Sequence, residues 1–150
     1  MTNDLARFGQ QLRAYLLTVP RLMGRAVVQE SADNFRRQGH ENEAGNVVPW
    51  APRQVGDTVK SRKKADKGKH VPNPRQRAIL IKSGRLRRSV RIVATTAASV
   101  TVGSSEVYAE AQQDGNARGL PPRPFITLGH AAKQKLIKKI SAGITGLLAK

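Results

Sequence analysis

The chain has 150 residues, with 27 Lys and Arg against 10 Asp and Glu, so its net charge is +17 and its pI is near 11.4. The absence of cysteine excludes disulfides and thiolate metal sites, and no segment approaches the roughly 20 apolar residues of a membrane span. A compact fold with this charge repels itself, so we expect nucleic acid, an anionic membrane surface or an acidic protein beside it.

The first predicted element is a long helix over about residues 3–38. Apolar residues recur at helical spacing from Leu5 to Phe35. Pro20 lacks a backbone donor and crowds the preceding turn, so a kink or a break is expected near it. Gly39 is the residue expected to end the helix.

The next segment, residues 40–77, shows neither helical nor strand periodicity. Its second part, residues 53–77, has nine basic and two acidic residues. Long stretches of this kind are generally functional loops or disordered. We therefore predict one domain over residues 1–150 with a flexible basic arm at about residues 40–77. Trp50 lies close to two prolines in this segment and is expected to be pinned to the domain or to a neighbouring protein.

Regular structure is predicted to resume near residue 78. A short buried run, Ile79–Ile81, precedes a helical turn that carries arginines and that Ser83 can cap. Apolar and polar residues then alternate over Val90–Thr95 and again over Ser99–Gly103. Because only a short connection separates these runs, they predict an antiparallel hairpin. For Val107–Ala111 the sequence leaves open a third strand and a short helix.

The last predicted elements are a loop over residues 114–122 and a closing helix over about residues 128–148. The helix has an apolar stripe from Leu136 to Leu147, and lysines cover its other side. The predicted class is α+β: a long N-terminal helix, a long basic loop or arm, a small antiparallel β-sheet and a C-terminal amphipathic helix.

The residue patterns typical of catalysis are missing. His40, His70 and His130 are far apart in sequence and lack neighbours that would complete a tetrahedral metal site. No Gly-rich phosphate loop follows a strand, and no serine lies in a nucleophile-elbow sequence. We predict no catalytic, cofactor-binding or metal-binding residues, and a protein that is not an enzyme.

Basic residues cluster in the arm, in the segment Arg85–Arg91 and in the last helix. The helix lysines alone are typical of a solvated face. The planar fork of arginine suits phosphate and carboxylate, which favours a binding role for Arg85–Arg91. No aromatic residues are interleaved for base stacking, and no recognition helix or zinc finger is present. Any contact with DNA is therefore expected to use its backbone without reading sequence.

Several segments resemble one known family. Ile79–Val90 resembles its "I-L-x-x-[ST]-G-x-L-R-x-S-[IV]" motif, and Ser99–Gly115 is similar to its "V-x-V-G-[ST]…Y-A…x-Q-x-G" run. Pro122–Ile126 resembles "P-x-R-P-[FW]-[LIF]", and Phe35 with Trp50–Pro52 resembles "F…W-x-P". The family is the phage virion-morphogenesis or tail-completion proteins, which overlaps with the neck proteins of long-tailed phages. Each motif alone is weak, but their shared order is fairly specific.

The resemblance implies a virion protein, assembled in the host cytoplasm, that forms a homo-oligomeric ring at the head–tail junction, expected to be a hexamer. It would join a head-completion or connector protein to a tail terminator or tail tube protein and contact phage DNA non-specifically. No membrane partner is expected. Candidates for DNA-channel or partner contacts are Lys60, Arg62, Lys63, Lys64, Arg85, Arg87, Arg88 and Arg91. Candidate packing or interface anchors are Trp50, Leu86, Tyr108, Arg123, Pro124 and Phe125.

Two other classes of protein compete with this interpretation. A non-specific nucleic-acid-binding protein, associated with the nucleoid or the ribosome, explains the charge equally well. It does not explain the order of strands followed by the Arg-Pro-Phe motif. A basic toxin domain is disfavoured because the chain lacks catalytic residues.

Overall fold

The structure, a computed structural model, describes residues 2–52, 58–60, 70–72 and 78–149. The helices are α1 (Thr2–Arg37), α2 (Arg85–Ser89), α3 (Ala109–Asp114) and α4 (His130–Leu148). The strands are β1 (Gly39–Glu41), β2 (Val47–Pro49), β3 (Thr58–Lys60), β4 (His70–Pro72), β5 (Arg91–Thr95) and β6 (Val100–Gly103). These elements confirm the α+β class, with a long first helix and a helix that closes the fold.

The first helix has about the predicted extent, and the structure describes it at Pro20 and at its end. α1 continues without a break through Pro20, which is itself buried. The helix ends at Arg37, and the residue in the left-handed conformation is Gln38, at φ 56°, not a glycine. Gly39 instead begins β1, where an added Cβ would collide with the carbonyl oxygen of Val48. The role of Gly39 is therefore to let two strands approach closely.

Among the described residues the strands form three separate antiparallel pairs, β1 with β2, β3 with β4 and β5 with β6. Gly39 pairs with Pro49 in the first and Thr58 with Pro72 in the second. In the third, Arg91 pairs with Gly103, and the register shifts between Ile92 and Ala94. The hairpin β5–β6 confirms the alternation seen in the sequence.

Two of these pairs correct the expectation that residues 40–77 hold no regular structure. Their strands are only three residues long, which is too short to show a period of two. Pro49 and Pro72 also argue against a strand in the sequence, because proline is rare inside strands. Residues 53–57, 61–69 and 73–77 lie outside the described part of the chain. The flexibility of the basic arm stays a prediction.

The open alternative at Val107–Ala111 is decided in favour of a helix. α3 begins at Ala109, and the backbone N–H of Gln112 donates to the carbonyl of Tyr108 at 3.2 Å. α2 follows Gly84, whose φ of 73° is a left-handed conformation. In the described part of the chain, no helix combines the length and the apolar character needed to cross a membrane.

The core is built around three aromatic rings. The centroid of Phe35 lies 5.5 Å from that of Trp50 and 5.5 Å from that of Phe125. The Trp50 ring meets Phe35 edge to face, an arrangement that the aromatic quadrupole favours. The buried apolar side chains of this cluster are Phe35, Trp50, Leu86, Val90, Ala109 and Phe125. The core therefore joins the end of α1 to the segments before β5 and before α4.

Glycines let α1 approach its two main neighbours. An added Cβ on Gly24 would lie 2.6 Å from Val100 Cγ2 and 2.8 Å from Ile92 Cδ1, so the β5–β6 hairpin packs directly on the helix backbone. On α4, a Cβ at Gly143 would collide with the Tyr15 ring. The Tyr15 hydroxyl donates to a backbone carbonyl of α4 at 3.1 Å. α1 therefore supports both the hairpin and the closing helix.

Gly24→Ala is expected to lower the free energy of unfolding by about 1–3 kcal/mol, because the new methyl group would occupy the space of two hairpin side chains that face α1. Gly9→Ala is the matched control in the same helix, where nothing lies within 4 Å of an added Cβ. It should stabilise by roughly 0.5–1 kcal/mol, since glycine weakens a helix interior. Urea unfolding measures both variants, and shifts of the same sign would contradict this packing.

Candidate partner-binding groove and basic surface

The segment at residues 122–127, here called the clamped segment, lies between α3 and α4 and is held by side chains. Gln113, near the end of α3, accepts hydrogen bonds at its Oε1 from the backbone N–H groups of Phe125 and Ile126, both at 3.0 Å. Its Nε2 donates to the Ile126 carbonyl at 3.2 Å. The amide of Gln113 thus supplies hydrogen bonds to the backbone of this irregular segment that a neighbouring strand would supply in a sheet.

Residues from α1 and from the end of β2 hold the clamped segment on another side. Asn34 is fully buried, and its Nδ2 donates to the Phe125 carbonyl at 3.3 Å and to Thr127 Oγ1 at 2.8 Å. Trp50 Nε1 donates to the Pro124 carbonyl at 2.9 Å. The indole therefore fills the core and also pairs a partly buried carbonyl oxygen.

Arg123 connects the clamped segment to the point where the chain leaves β2. Its side chain is buried, with Nε donating to the Ala51 carbonyl at 2.9 Å and Nη2 to the Pro52 carbonyl at 3.1 Å. Nη1 donates to Gln112 Oε1 at 3.3 Å. The planar fork of arginine reaches all three acceptors at once, which a lysine ammonium group could not do with the same geometry. Arg123 therefore fixes the backbone of Ala51 and Pro52 against the clamped segment.

The six anchor candidates from the sequence lie in two environments. Trp50, Leu86, Arg123 and Phe125 are buried, and Pro124 is half-buried. Tyr108 is 42% exposed. Sequence reasoning missed the roles of Asn34 and Gln113. A signal for Asn34 was available, because it directly precedes Phe35 on the side of α1 that carries the core residues.

A groove of about 860 Å³ lies beside the clamped segment. Its apolar lining comes from Ile79, Leu80, Leu86, Leu120 and Pro121. Its polar lining includes Lys82, Arg85, Glu106, Tyr108 and Gln112. Volumes of this size are typical of sites that bind small molecules or peptide side chains.

Charges at the groove are arranged around Glu106. Its Oε1 lies 3.4 Å from Arg85 Nε, and its backbone N–H donates to Ser104 Oγ at 3.1 Å. The Arg85 side chain is 70% exposed, whereas that of Glu106 is 15% exposed. Desolvation raises the pKa of the Tyr108 hydroxyl, and the charge and hydrogen bond of Glu106 raise it further. Tyr108 therefore stays a neutral hydrogen-bond donor around neutral pH.

One residue of the groove has an unusual backbone conformation. Leu80 has a φ of 61°, in the left-handed region that bulky side chains rarely adopt. It lies in a turn in which the Ile81 N–H donates to the Ala78 carbonyl at 3.1 Å. Such a conformation costs on the order of 1–3 kcal/mol and concentrates at functional sites.

The basic candidates from the sequence are only partly described. Arg85, Arg87, Arg88 and Arg91 are all exposed. Arg88 donates from Nη2 to the Ser83 carbonyl at 3.1 Å, at the start of α2. Lys60 lies in β3, where the backbone alone is described, and Arg62, Lys63 and Lys64 lie outside the described residues. Within the described residues, no group of three or more His, Asp or Glu side chains could hold a metal ion.

The chain belongs to the phage virion morphogenesis family, whose sequence model matches residues 2–144. No curated protein and no solved structure matches it significantly. The match confirms the family that the sequence motifs resembled, and it gives the chain a role in bacteriophage virion assembly.

Proposed function

We propose that this chain is a neck or tail-completion subunit that joins the head connector to the tail around the DNA channel. The observation that carries the proposal is a net charge of +17 on a member of a virion assembly family. Self-repulsion of this size is relieved beside a polyanion, and packaged DNA is the polyanion of a phage particle. The head–tail junction is where an assembly protein and passing DNA meet.

A ring of identical subunits, expected to be a hexamer, is supported by an apolar stripe on α1. Leu5, Leu12, Leu16 and Met23 are spaced so that they lie within about 40° of one another around the helix. Leu5 is 74% exposed, Leu16 46% and Met23 40%. Contiguous exposed apolar side chains typically mark protein interfaces. In the proposed ring, a second copy of the chain covers this stripe.

Contact with DNA in the channel is proposed for the exposed arginines. Binding of the purified protein to double-stranded DNA should not depend on sequence, and the logarithm of its affinity should fall with log salt by about 0.9 per phosphate neutralised. Replacing both Arg87 and Arg91 with alanine should reduce that slope by up to about 1.8, since both side chains are exposed. Fluorescence anisotropy at several salt concentrations measures the slope.

The matched control removes the same charge from α4, by replacing the exposed Lys138 and Lys139 with alanine. It should leave the slope nearer that of the wild type. Equal slopes for both double variants would mean that the arginines have no special part in DNA contact.

Deleting the gene that encodes this chain from its phage is the direct test of the neck function. DNA replication and head filling should continue, while the lysate accumulates filled heads and complete tails that are not joined. Electron microscopy of the lysate counts joined particles, and expression of the wild-type chain in trans should restore them. A large loss is expected because each particle needs this junction.

The same experiment separates the neck function from the competing nucleic-acid-binding function. A nucleoid-type protein should change DNA compaction and leave joining intact. Normal numbers of joined, infectious particles after the deletion would refute the neck proposal and favour that alternative. The charge of +17 alone is compatible with both.

A further inference from the structure

We propose that the groove beside the clamped segment binds an acidic, extended peptide segment of another virion protein, with one apolar side chain on the groove floor. The statement that the partner is a virion protein rests on the proposed assembly function. It adds where on the chain the partner binds and by what chemistry.

The floor of the groove favours an apolar side chain. Leu86 is 2% exposed, which places it at the base of the groove, and Leu120 and Pro121 are half-buried in the lining. Ile79 and Leu80 line the groove as well, and both are partly buried against the core. Covering such a floor with an apolar side chain removes apolar surface from water, which is the main favourable term in most protein association.

The rim of the groove favours an acidic ligand. Lys82 and Arg85 line it, and Glu106 is the acidic residue among the lining residues. Glu106 Oε1 lies 3.4 Å from Arg85 Nε, and the Arg85 side chain is 70% exposed, so a second carboxylate can approach its guanidinium group. Tyr108 lines the same rim, where its hydroxyl is hydrogen-bonded to Glu106. Beyond the rim, the remaining arginines of α2 and β5 add positive potential that attracts an acidic segment.

Hydrogen bonds and backbone turns within the chain hold the walls of the groove. Arg123 is buried where the clamped segment meets α3, and it is fixed by hydrogen bonds to the carbonyls of Ala51 and Pro52. Gly84, in a left-handed conformation, turns the chain from the groove wall into α2. The left-handed φ of Leu80 holds an apolar side chain at the wall in a conformation that the local sequence does not favour. A preformed site loses less entropy on binding than a flexible one.

A peptide fits these features better than duplex DNA. DNA presents phosphates on a convex surface and would leave the apolar floor uncovered. In the proposed function, arginines outside the groove contact the DNA phosphates; Arg87 and Arg91 are exposed examples. The groove and the proposed DNA contacts are therefore separate surfaces.

The test selects short random peptides from a display library for binding to the purified full chain near physiological salt. Enriched peptides should share Asp or Glu on both sides of Leu, Ile or Phe. Fluorescein-labelled copies should bind the wild type, and Arg85→Glu should weaken their binding by about tenfold or more. Lys138→Glu makes the same charge change at an exposed position of α4 and should alter binding by less than about twofold. Replacing the apolar residue of the peptide with serine should also weaken binding.

Three results would overturn the proposal: no enriched peptides, acidic peptides with no apolar preference, or equal losses in Arg85→Glu and Lys138→Glu. Displacement of a bound peptide by an equal concentration of duplex DNA would assign the groove to phosphate instead. The assay uses no phage particle. If peptide binding fails, the count of joined particles after the deletion still tests the neck proposal. If that count contradicts the neck proposal, the peptide measurements still test the groove.

Discussion

Phe125→Ala is expected to lower the free energy of unfolding by about 3–5 kcal/mol. Phe125 is 1% exposed, and its ring lies 5.5 Å from that of Phe35. Removing the ring decreases the apolar surface buried in the core and leaves a cavity. The cavity should persist, because Gln113 and Asn34 hold the backbone on both sides of residue 125 and oppose collapse.

Urea unfolding followed by the fluorescence of Trp50 measures this loss, since Trp50 is the single tryptophan and belongs to the same core. Val107→Ala is the control: its side chain is 99% exposed, so the change should stay within about 0.5 kcal/mol. Leu86→Ala, at 2% exposure, should cost about 2–5 kcal/mol. Wild-type stability in both Phe125→Ala and Leu86→Ala would contradict the core described above.

Gln113→Ala is expected to destabilise the protein by about 2–4 kcal/mol although it removes no aromatic or aliphatic core residue. The substitution leaves the N–H groups of Phe125 and Ile126 without their acceptor and the Ile126 carbonyl without its donor. Each unpaired backbone group that is partly buried lowers the free energy of unfolding by about 1–3 kcal/mol. The same change should loosen the wall of the groove, because the clamped segment borders it.

Gln113→Glu provides a graded comparison, since it keeps the acceptor for two N–H groups and loses the single donor. Its loss of stability should therefore be smaller than that of Gln113→Ala. Gln134→Ala, at an exposed position of α4, should stay close to wild type. Thermal unfolding orders the three variants, and equal melting temperatures for Gln113→Ala and Gln134→Ala would show that the amide does not hold the segment.

Elements whose signal is local in sequence could be predicted. The alternation before and after residues 96–98 became β5–β6, and the apolar stripe of the closing helix became α4, because both depend only on side-chain periodicity along a short window. Of the kink or break expected at Pro20, the break does not occur, since a helix packed against α4 and the hairpin can retain a proline that would end an isolated helix.

Elements that depend on distant partners could not be predicted in the same way. β1 and β2 are three residues long and gain their order from pairing with each other and from the core around Trp50. The helix at Ala109 carries Gln112 and Gln113, whose side chains accept hydrogen bonds from the clamped segment far along the chain. Neither requirement is visible in a window of neighbouring residues.

By itself the sequence determined the class of fold, the charge of the protein and the family, because composition, periodicity and ordered motifs are all read along the chain. The tertiary structure decided what the motif residues do. It brought Arg123 to the carbonyls of Ala51 and Pro52, over 70 positions away, and Gln113 to the backbone of Phe125. It also placed Arg85 at a groove with an apolar floor. Hydrogen-bond partners and concave surfaces are set by distances between remote segments, and those distances exist only once the chain has folded.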